Sequence, residues 1–152
     1  MILQDKKVRE RIKLLMDKKL KILKEIQIHT RNIEEAIRKK DTSEILKWLE
    51  LRGKAISDFD EITKNMAGMV KEKDDIVEEI KRDGELGVFY EEAVALLKEI
   101  KKQDDKNLKD ARELQLHISN SINDARQAGK ALKGYGVIEG RSGFGGFIDT
   151  KK

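Results

Sequence analysis

The sequence predicts an all-α protein, an elongated antiparallel bundle of three long, coiled-coil-like helices followed by a flexible glycine-rich C-terminal tail. Three observations lead to this fold class. The chain of 152 residues has no proline and is 41% charged, which is typical of long helices with narrow apolar seams. Apolar residues recur three and four positions apart through three successive segments. Six of the eleven glycines fall between residues 134 and 146, where they disfavour a helix.

The first predicted helix runs from about residue 5 to residue 40. Its apolar residues form one stripe along the helix. The stretch from Asp41 to Glu44 predicts a stop and a restart, because a small polar N-cap residue with Glu three positions later is the capping-box pattern. The stripe consists of Val8, Ile12, Leu15, Ile22, Ile26, Ile33 and Ile37.

The second predicted helix runs from about residue 43 to residue 82 and contains Gly53 and Gly68. Each glycine costs about 1 kcal/mol relative to Ala inside a helix, so the two indicate a close helix approach or a bend. A second break follows at residues 83–87, where Gly84 and Gly87 favour the end of a helix. The third helix is predicted from about residue 88 to residue 133. Short connections favour antiparallel neighbours.

The predicted boundary between bundle and tail divides the chain into residues 1–133 and residues 134–152. The tail is glycine-rich, yet it carries three aromatic residues that a plain linker would not need. Two interpretations are open: a disordered end with incidental apolar residues, or a short motif that docks on a partner. The candidate docking residues are Tyr135, Phe144, Phe147, Ile148 and Asp149.

Composition also excludes several classes of function. The chain has no cysteine, which removes disulfides and thiolate metal sites. Its start does not have the pattern of a signal peptide, and no apolar run reaches the roughly 20 residues of a membrane span. Glu25 with His29, and Glu113 with His117, share helix faces, but carboxylate-bridged metal sites in bundles use Glu-x-x-His. We therefore expect no membrane insertion, no metal, no cofactor and no enzymatic activity.

Charge is segregated along the chain. Residues 1–40 carry a net charge of +7, residues 41–100 carry −7, and residues 101–152 carry +4. A basic segment followed by an equally acidic one indicates that the two lie side by side. Nucleic acid is a rival partner for the basic segment, but acids lie among the bases and no aromatic residues interleave. We therefore expect no binding of nucleic acid.

Polar residues interrupt the apolar stripes at positions in phase with the core. Such residues extend their polar ends to solvent, form a polar layer that fixes the register of the helices, or leave a seam that a partner's helix completes. Counting along up-down-up helices predicts a polar layer of Lys19, Asp104 and Asn107 near the height of residues 63–66. The interrupting residues are Lys19, Arg52, Asp104 and Asn107.

Four stretches of the chain are distinctive: residues 20–51, DDKNL at residues 104–108, GKALKGYG at residues 129–136 and FIDTKK at residues 147–152. In these stretches the chain resembles the flagellar export chaperones of the FlgN/FliT type. Residues 20–51 are similar to the long first helix, polar turn and leucine-rich second helix of that family. The stretch DDKNL at residues 104–108 is similar to the family's Asp/Asn-containing stretch early in the last long helix. GKALKGYG at residues 129–136 is similar to the exit of that helix into a tyrosine, and FIDTKK at residues 147–152 to the family's ending.

The resemblance implies a cytoplasmic bacterial chaperone of type III flagellar export. Such a chaperone would bind hook-associated or filament-cap proteins through their terminal helices and pass them to the export gate. The family tyrosine that engages the gate corresponds to Tyr135. We expect a monomer or a weak dimer.

Without the resemblance, an elongated bundle with an imperfect seam and an apolar tail fits a protein that binds a helix in a groove. The alternative is a structural coiled coil that self-associates as a scaffold. Polar interruption of the stripe distinguishes the two, because a pure spacer tolerates it poorly.

Overall fold

The computed structural model describes residues 2–69 and 73–131, and every regular element within these ranges is helical. A 3₁₀ turn at Ile2–Gln4 precedes α1 (Lys6–Arg38), α2 (Thr42–Gly68), α3 (Lys73–Arg82) and α4 (Leu86–Ala131). The predicted all-α class is confirmed. At 1.5 Å per residue, α1 is about 50 Å long and α4 about 70 Å. None of the described helices is long and apolar enough to cross a membrane.

The prediction of one helix over residues 43–82 is wrong. The chain ends α2 at Gly68 and begins α3 at Lys73. A Cβ atom at Gly53 or Gly68 would meet nothing within 4 Å, so neither glycine serves a close helix approach. The low helix propensity of glycine is common to both positions, so it does not by itself explain why α2 continues through Gly53 and ends at Gly68. The predicted break at residues 83–87 is confirmed, since α3 ends at Arg82 and α4 begins at Leu86.

The turn between α1 and α2 is short and is closed by backbone and side-chain hydrogen bonds. Lys40 has φ 57°, a conformation usual for glycine after a helix. The Asp41 N–H donates to the Ala36 carbonyl and the Lys40 N–H to the Ile37 carbonyl, both at 3.0 Å, which is the Schellman pattern. The Asp41 carboxylate then accepts from the Glu44 N–H at 3.1 Å. This tight turn places α2 alongside α1 in the opposite direction.

Helix α1 lies at the centre of the arrangement. It packs closely on both α2 and α4, whereas the described parts of α2 and α4 approach each other closely only at isolated points. Three apolar clusters follow one another along α1 and show that α2 runs antiparallel to it and α4 parallel to it. Their main members are Ile12, Met16, Met66 and Leu86 at the base, Leu23, Ile26, Ala55 and Ile100 in the middle, and Ile37, Ile45 and Leu114 at the top.

An ion-pair network joins the start of α1 to the turn between α3 and α4. The Arg9 guanidinium donates to both oxygens of Asp83, at 3.1 and 3.3 Å, and to Glu85 at 3.2 Å. Lys13 pairs with the same Glu85. The turn itself is tight, because a Cβ atom at Gly87 would stand 2.9 Å from the Lys81 carbonyl oxygen. The predicted meeting of basic and acidic segments therefore occurs at the base of the molecule.

We expect the melting temperature to fall as the pH drops through the acid range. Hydrogen bonds from the Leu86 N–H and the Arg9 guanidinium lower the pKa of Asp83 below its ordinary 3.8. Hydrogen bonds from Lys13 and Arg9 lower the pKa of Glu85 below 4.5. A carboxyl with a lowered folded-state pKa stabilises the fold above its ordinary pKa and loses that contribution as the pH falls through the lowered value.

The measurement is the melting temperature from pH 6 to pH 2, roughly the range over which folded carboxylates are protonated. Asp83→Asn keeps an oxygen for the Leu86 N–H but removes the charge. The melting temperature should therefore fall less steeply with decreasing pH than it does in the parent. Asp58→Asn, at an exposed position on α2, is the control and should keep the parent slope. An unchanged slope in Asp83→Asn would show that this network does not govern acid stability.

Candidate functional site

Helix α2 carries an apolar strip that α1 covers from one side only. Its two buried residues are Ile45 and Ala55. The other apolar side chains of the strip are half-buried, and the described parts of α2 and α4 do not pack closely on each other along their length. The surface formed by this strip and by the neighbouring parts of α1 and α4 is called here the α2/α4 groove. The half-buried residues are Trp48, Leu49, Ile56, Phe59, Ile62 and Met66.

The groove has two apolar compartments along its length. In the upper one, Trp48 and Leu49 pack on a buried cluster that includes Ile33 and Leu114. In the lower one, Ile56, Phe59, Ala93 and Leu96 pack on the buried cluster around Leu23 and Ile100. From Trp48 to Ile56 α2 advances eight residues, about 12 Å. An occupant of both compartments would therefore need apolar groups about two helical turns apart.

A polar layer separates the two compartments. Arg52 of α2 donates from Nε to the Thr30 hydroxyl at 3.2 Å and pairs with Asp104 of α4. Asn107 is fully buried and donates from Nδ2 to the Thr30 carbonyl at 3.0 Å. Thr30 also donates its hydroxyl to the Ile26 carbonyl at 2.7 Å. All three helices thus meet at Thr30, and Arg52 bridges the groove from α2 to α4.

The layer continues toward the outer side of α4. Gln103 donates to the Asn107 side-chain oxygen at 3.0 Å and also to Glu34. Lys106 lies 3.4 Å from the second Glu34 oxygen. Each buried polar group of the layer therefore has a partner, as a buried polar network requires if it is not to destabilise the fold.

The structure brings Asp104 and Asn107 together but places Lys19 elsewhere. The Lys19 ammonium lies 4.6 Å from the centroid of the Phe59 ring, and partial burial lowers its pKa. Phe59 is seven residues from Arg52, about 10 Å along α2. Asp104 therefore lies at the height of Arg52 and not near residues 63–66, because the count to Asp104 assumes one helix through residue 82, whereas α2 ends at Gly68.

The two histidines lie in different surroundings. His29 is buried against Trp48, with ring centroids 5.7 Å apart, and its Nε2 lies 3.4 Å from Glu25. His117 is exposed and lines an open cavity of about 330 Å³ with Arg38 and Lys40. No group of three His, Cys, Asp or Glu residues able to hold a metal occurs among the described residues.

Two partners in the layer were not singled out from the sequence, Thr30 and Gln103. Thr30 has a detectable signal, because it stands four residues after Ile26 and three before Ile33 in the α1 stripe. Gln103 has a similar signal, because it stands three residues after Ile100 and four before Asn107 in α4. The predicted tail residues lie outside the residues that the structure describes, namely Tyr135, Phe144, Phe147, Ile148 and Asp149.

Comparisons with known proteins identify no relative. No family model matches the chain, and no curated protein or solved structure matches it either.

Proposed function

We propose that this protein is a chaperone that holds an amphipathic helix of a client protein in the α2/α4 groove. In this proposal α1, α2 and α4 form an elongated antiparallel three-helix bundle, and the client helix completes its open seam. The observation that carries the proposal is the half-buried strip on α2, from Trp48 to Met66. Binding of a helix in a groove uses such a strip, because apolar anchors three, four and seven residues apart fill it.

The polar layer gives the proposed client a recognisable pattern. Apolar anchors would enter the two compartments, and a polar residue between them would face Arg52 and Asp104. A client with an unbroken apolar face would bury an apolar group against this pair, which carries a desolvation cost. The groove would therefore select for a helix with a polar residue at the centre of its apolar face.

The resemblance to flagellar export chaperones supplies the proposed biological setting. In that setting the protein works in the bacterial cytoplasm, its clients are hook-associated or filament-cap proteins, and it delivers them to the export gate. Tyr135 and the apolar residues of the tail would engage the gate. The tail follows directly after α4, whose last described residue is Ala131.

Phe59→Ala is expected to weaken client binding by about 30-fold, because an aromatic anchor at an interface is worth about 2 kcal/mol. The measurement is calorimetric titration of the full chain with terminal helices of hook-associated and filament-cap proteins. Leu46→Ala is the matched control, because Leu46 is an exposed apolar residue on the same helix. Circular dichroism establishes that both variants keep their helices.

Equal affinity for the parent and Phe59→Ala would exclude the groove as the binding site. The second candidate function is a scaffold, which the long exposed helices favour. Light scattering distinguishes the chaperone from this scaffold. A monomer or weak dimer that binds these helices supports the chaperone. A stable large oligomer that binds none of them supports the scaffold.

A further inference from the structure

Helix α1 has an outward face that is basic along most of its length. Seven residues spaced alternately four and three apart occupy this face, and all seven are exposed. Four are cations, two are large aliphatic residues and one is an acid. We call this face the α1 ridge, and it consists of Lys7, Arg11, Leu14, Lys18, Lys21, Glu25 and Ile28.

Within the part of the chain that the structure describes, three of the four cations on the α1 ridge have no ion pair. Lys21 lies 3.0 Å from Asp17 one turn away in the same helix. Among the described residues, no salt bridge or ring contact involves the side chains of Lys7, Arg11 or Lys18. By contrast, Arg9 and Lys13 point to the turn before α4, where they pair with Asp83 and Glu85. The ridge cations are therefore available to an outside anion.

The aliphatic residues of the ridge are unusual for a solvated face. Leu14 is 48% exposed and Ile28 is 55% exposed. They stand in line with the cations, about 21 Å apart at 1.5 Å per residue. A straight ridge of about 30 Å in which two aliphatic residues stand in line with four cations suits a flat surface that is anionic at its outside and apolar beneath.

The ridge and the groove lie on different sides of α1. The residues of α1 that contribute to the groove, such as Leu23, Ile26 and Thr30, are buried beneath α2 and α4. The ridge residues are exposed on the side that these two helices leave uncovered. An occupant of the groove would therefore leave the ridge accessible.

We propose that the α1 ridge binds the surface of an anionic phospholipid bilayer. The ammonium and guanidinium groups would pair with lipid phosphates, while Leu14 and Ile28 would enter the boundary between headgroups and acyl chains. Clusters of four to eight basic residues are sufficient for adsorption to anionic membranes. The helix would lie parallel to the surface, and no part of the chain would span the bilayer.

A bilayer fits the ridge better than a nucleic acid does. Binding of single strands relies on aromatic residues on which bases stack, and the ridge has none. Three of its four cations are Lys rather than Arg, the residue that forms bidentate contacts with guanine edges. The exposed aliphatic side chains favour lipid, because a phosphate backbone offers them no apolar contact.

The test is sedimentation of the full chain with vesicles of phosphatidylcholine alone or with about 30 mol% phosphatidylglycerol. The variant Lys7→Gln, Arg11→Gln, Lys18→Gln, Lys21→Gln should bind anionic vesicles at least about tenfold more weakly than the parent. The control is Lys54→Gln, Lys64→Gln, Lys98→Gln, Lys101→Gln, at exposed positions on α2 and α4. Both variants lower the net charge from +4 to zero, so a general charge effect would weaken both equally.

Three further results are expected. Neutral vesicles should leave the protein in solution, about 0.5 M salt should release it from anionic ones, and Leu14→Ser should weaken binding at constant charge. The proposal is overturned if the parent does not sediment with anionic vesicles, if both quadruple variants bind alike, or if an RNA or DNA oligonucleotide binds the ridge more tightly than the vesicles do. None of these measurements depends on the client-binding proposal.

Discussion

Leu86→Ala is expected to lower the free energy of unfolding by about 2–5 kcal/mol, as large-to-small substitutions in well-packed cores do. Leu86 is fully buried at the first residue of α4, where it packs in one cluster with Ile12, Met16, Ile76 and Ile80. That cluster joins α1, α3 and α4 at the base of the molecule. A cavity there cannot close easily, because the tight turn at Gly87 fixes the position of the backbone.

Urea denaturation, monitored by circular dichroism, measures this effect. The urea concentration at the midpoint should fall, while the dependence of the free energy of unfolding on urea concentration stays constant. Leu97→Ala is the matched control on the same helix, because Leu97 is 46% exposed and should change stability by less than about 1 kcal/mol. If Leu86→Ala and Leu97→Ala lower the free energy of unfolding equally, the cluster at the base does not form a packed core and does not hold α3 against α1 and α4.

The helices themselves could be predicted from the sequence because their signals are local. Apolar periodicity marks α1 and α4 to within about two residues at the ends that can be compared, and the capping residue Asp41 marks the start of α2. The end of α2 could not be fixed in this way. Gly53 and Gly68 give the same local signal, yet the helix continues through Gly53 and ends at Gly68. A Cβ atom would meet nothing within 4 Å at either glycine, so neither the local sequence nor the space around the two glycines distinguishes them.

The polar layer could be predicted in part. Polar residues break the apolar stripes at Arg52, Asp104 and Asn107, and their positions predict a polar layer. The pairing of Asn107 with the Thr30 carbonyl depends on which residues of α1 and α4 share a height, and that height depends on where α2 ends. Lys19 gives the same signal as Arg52, but its long side chain covers Phe59 rather than joining a polar partner. Long amphipathic side chains often do this.

The bridge between Arg52 and Asp104 provides a second large expected effect. The Arg52 side chain is 14% exposed and that of Asp104 is 31% exposed. Asp104→Leu removes the counter-charge of the Arg52 guanidinium and leaves it the Thr30 hydroxyl as a partner. We expect this substitution to lower the free energy of unfolding by about 1–3 kcal/mol. Arg52→Leu should cost less, because the Asp104 carboxylate is more exposed and can be hydrated.

The double variant, Arg52→Leu with Asp104→Leu, should be more stable than Asp104→Leu alone. Replacing a partly buried ion pair with apolar residues removes both desolvation costs, and this exchange is often neutral or stabilising. A double-mutant cycle by urea denaturation measures the interaction energy, expected at about 1 kcal/mol or more. The cycle for Asp17 and Lys21, whose side chains are 38% and 74% exposed, is the control and should give less than about 0.5 kcal/mol.

The same double variant separates stability from selectivity. With the bridge replaced, the two apolar compartments join into one continuous strip from Trp48 to Phe59. The variant should then bind a client helix with a fully apolar face more tightly than the parent does, and lose its preference for a helix with a central polar residue, since specificity is the difference between the two affinities. A double variant that is less stable than both single variants would show that the layer stabilises the fold outright. Unchanged preference between the two helices would show that the layer serves the fold and takes no part in choosing the client.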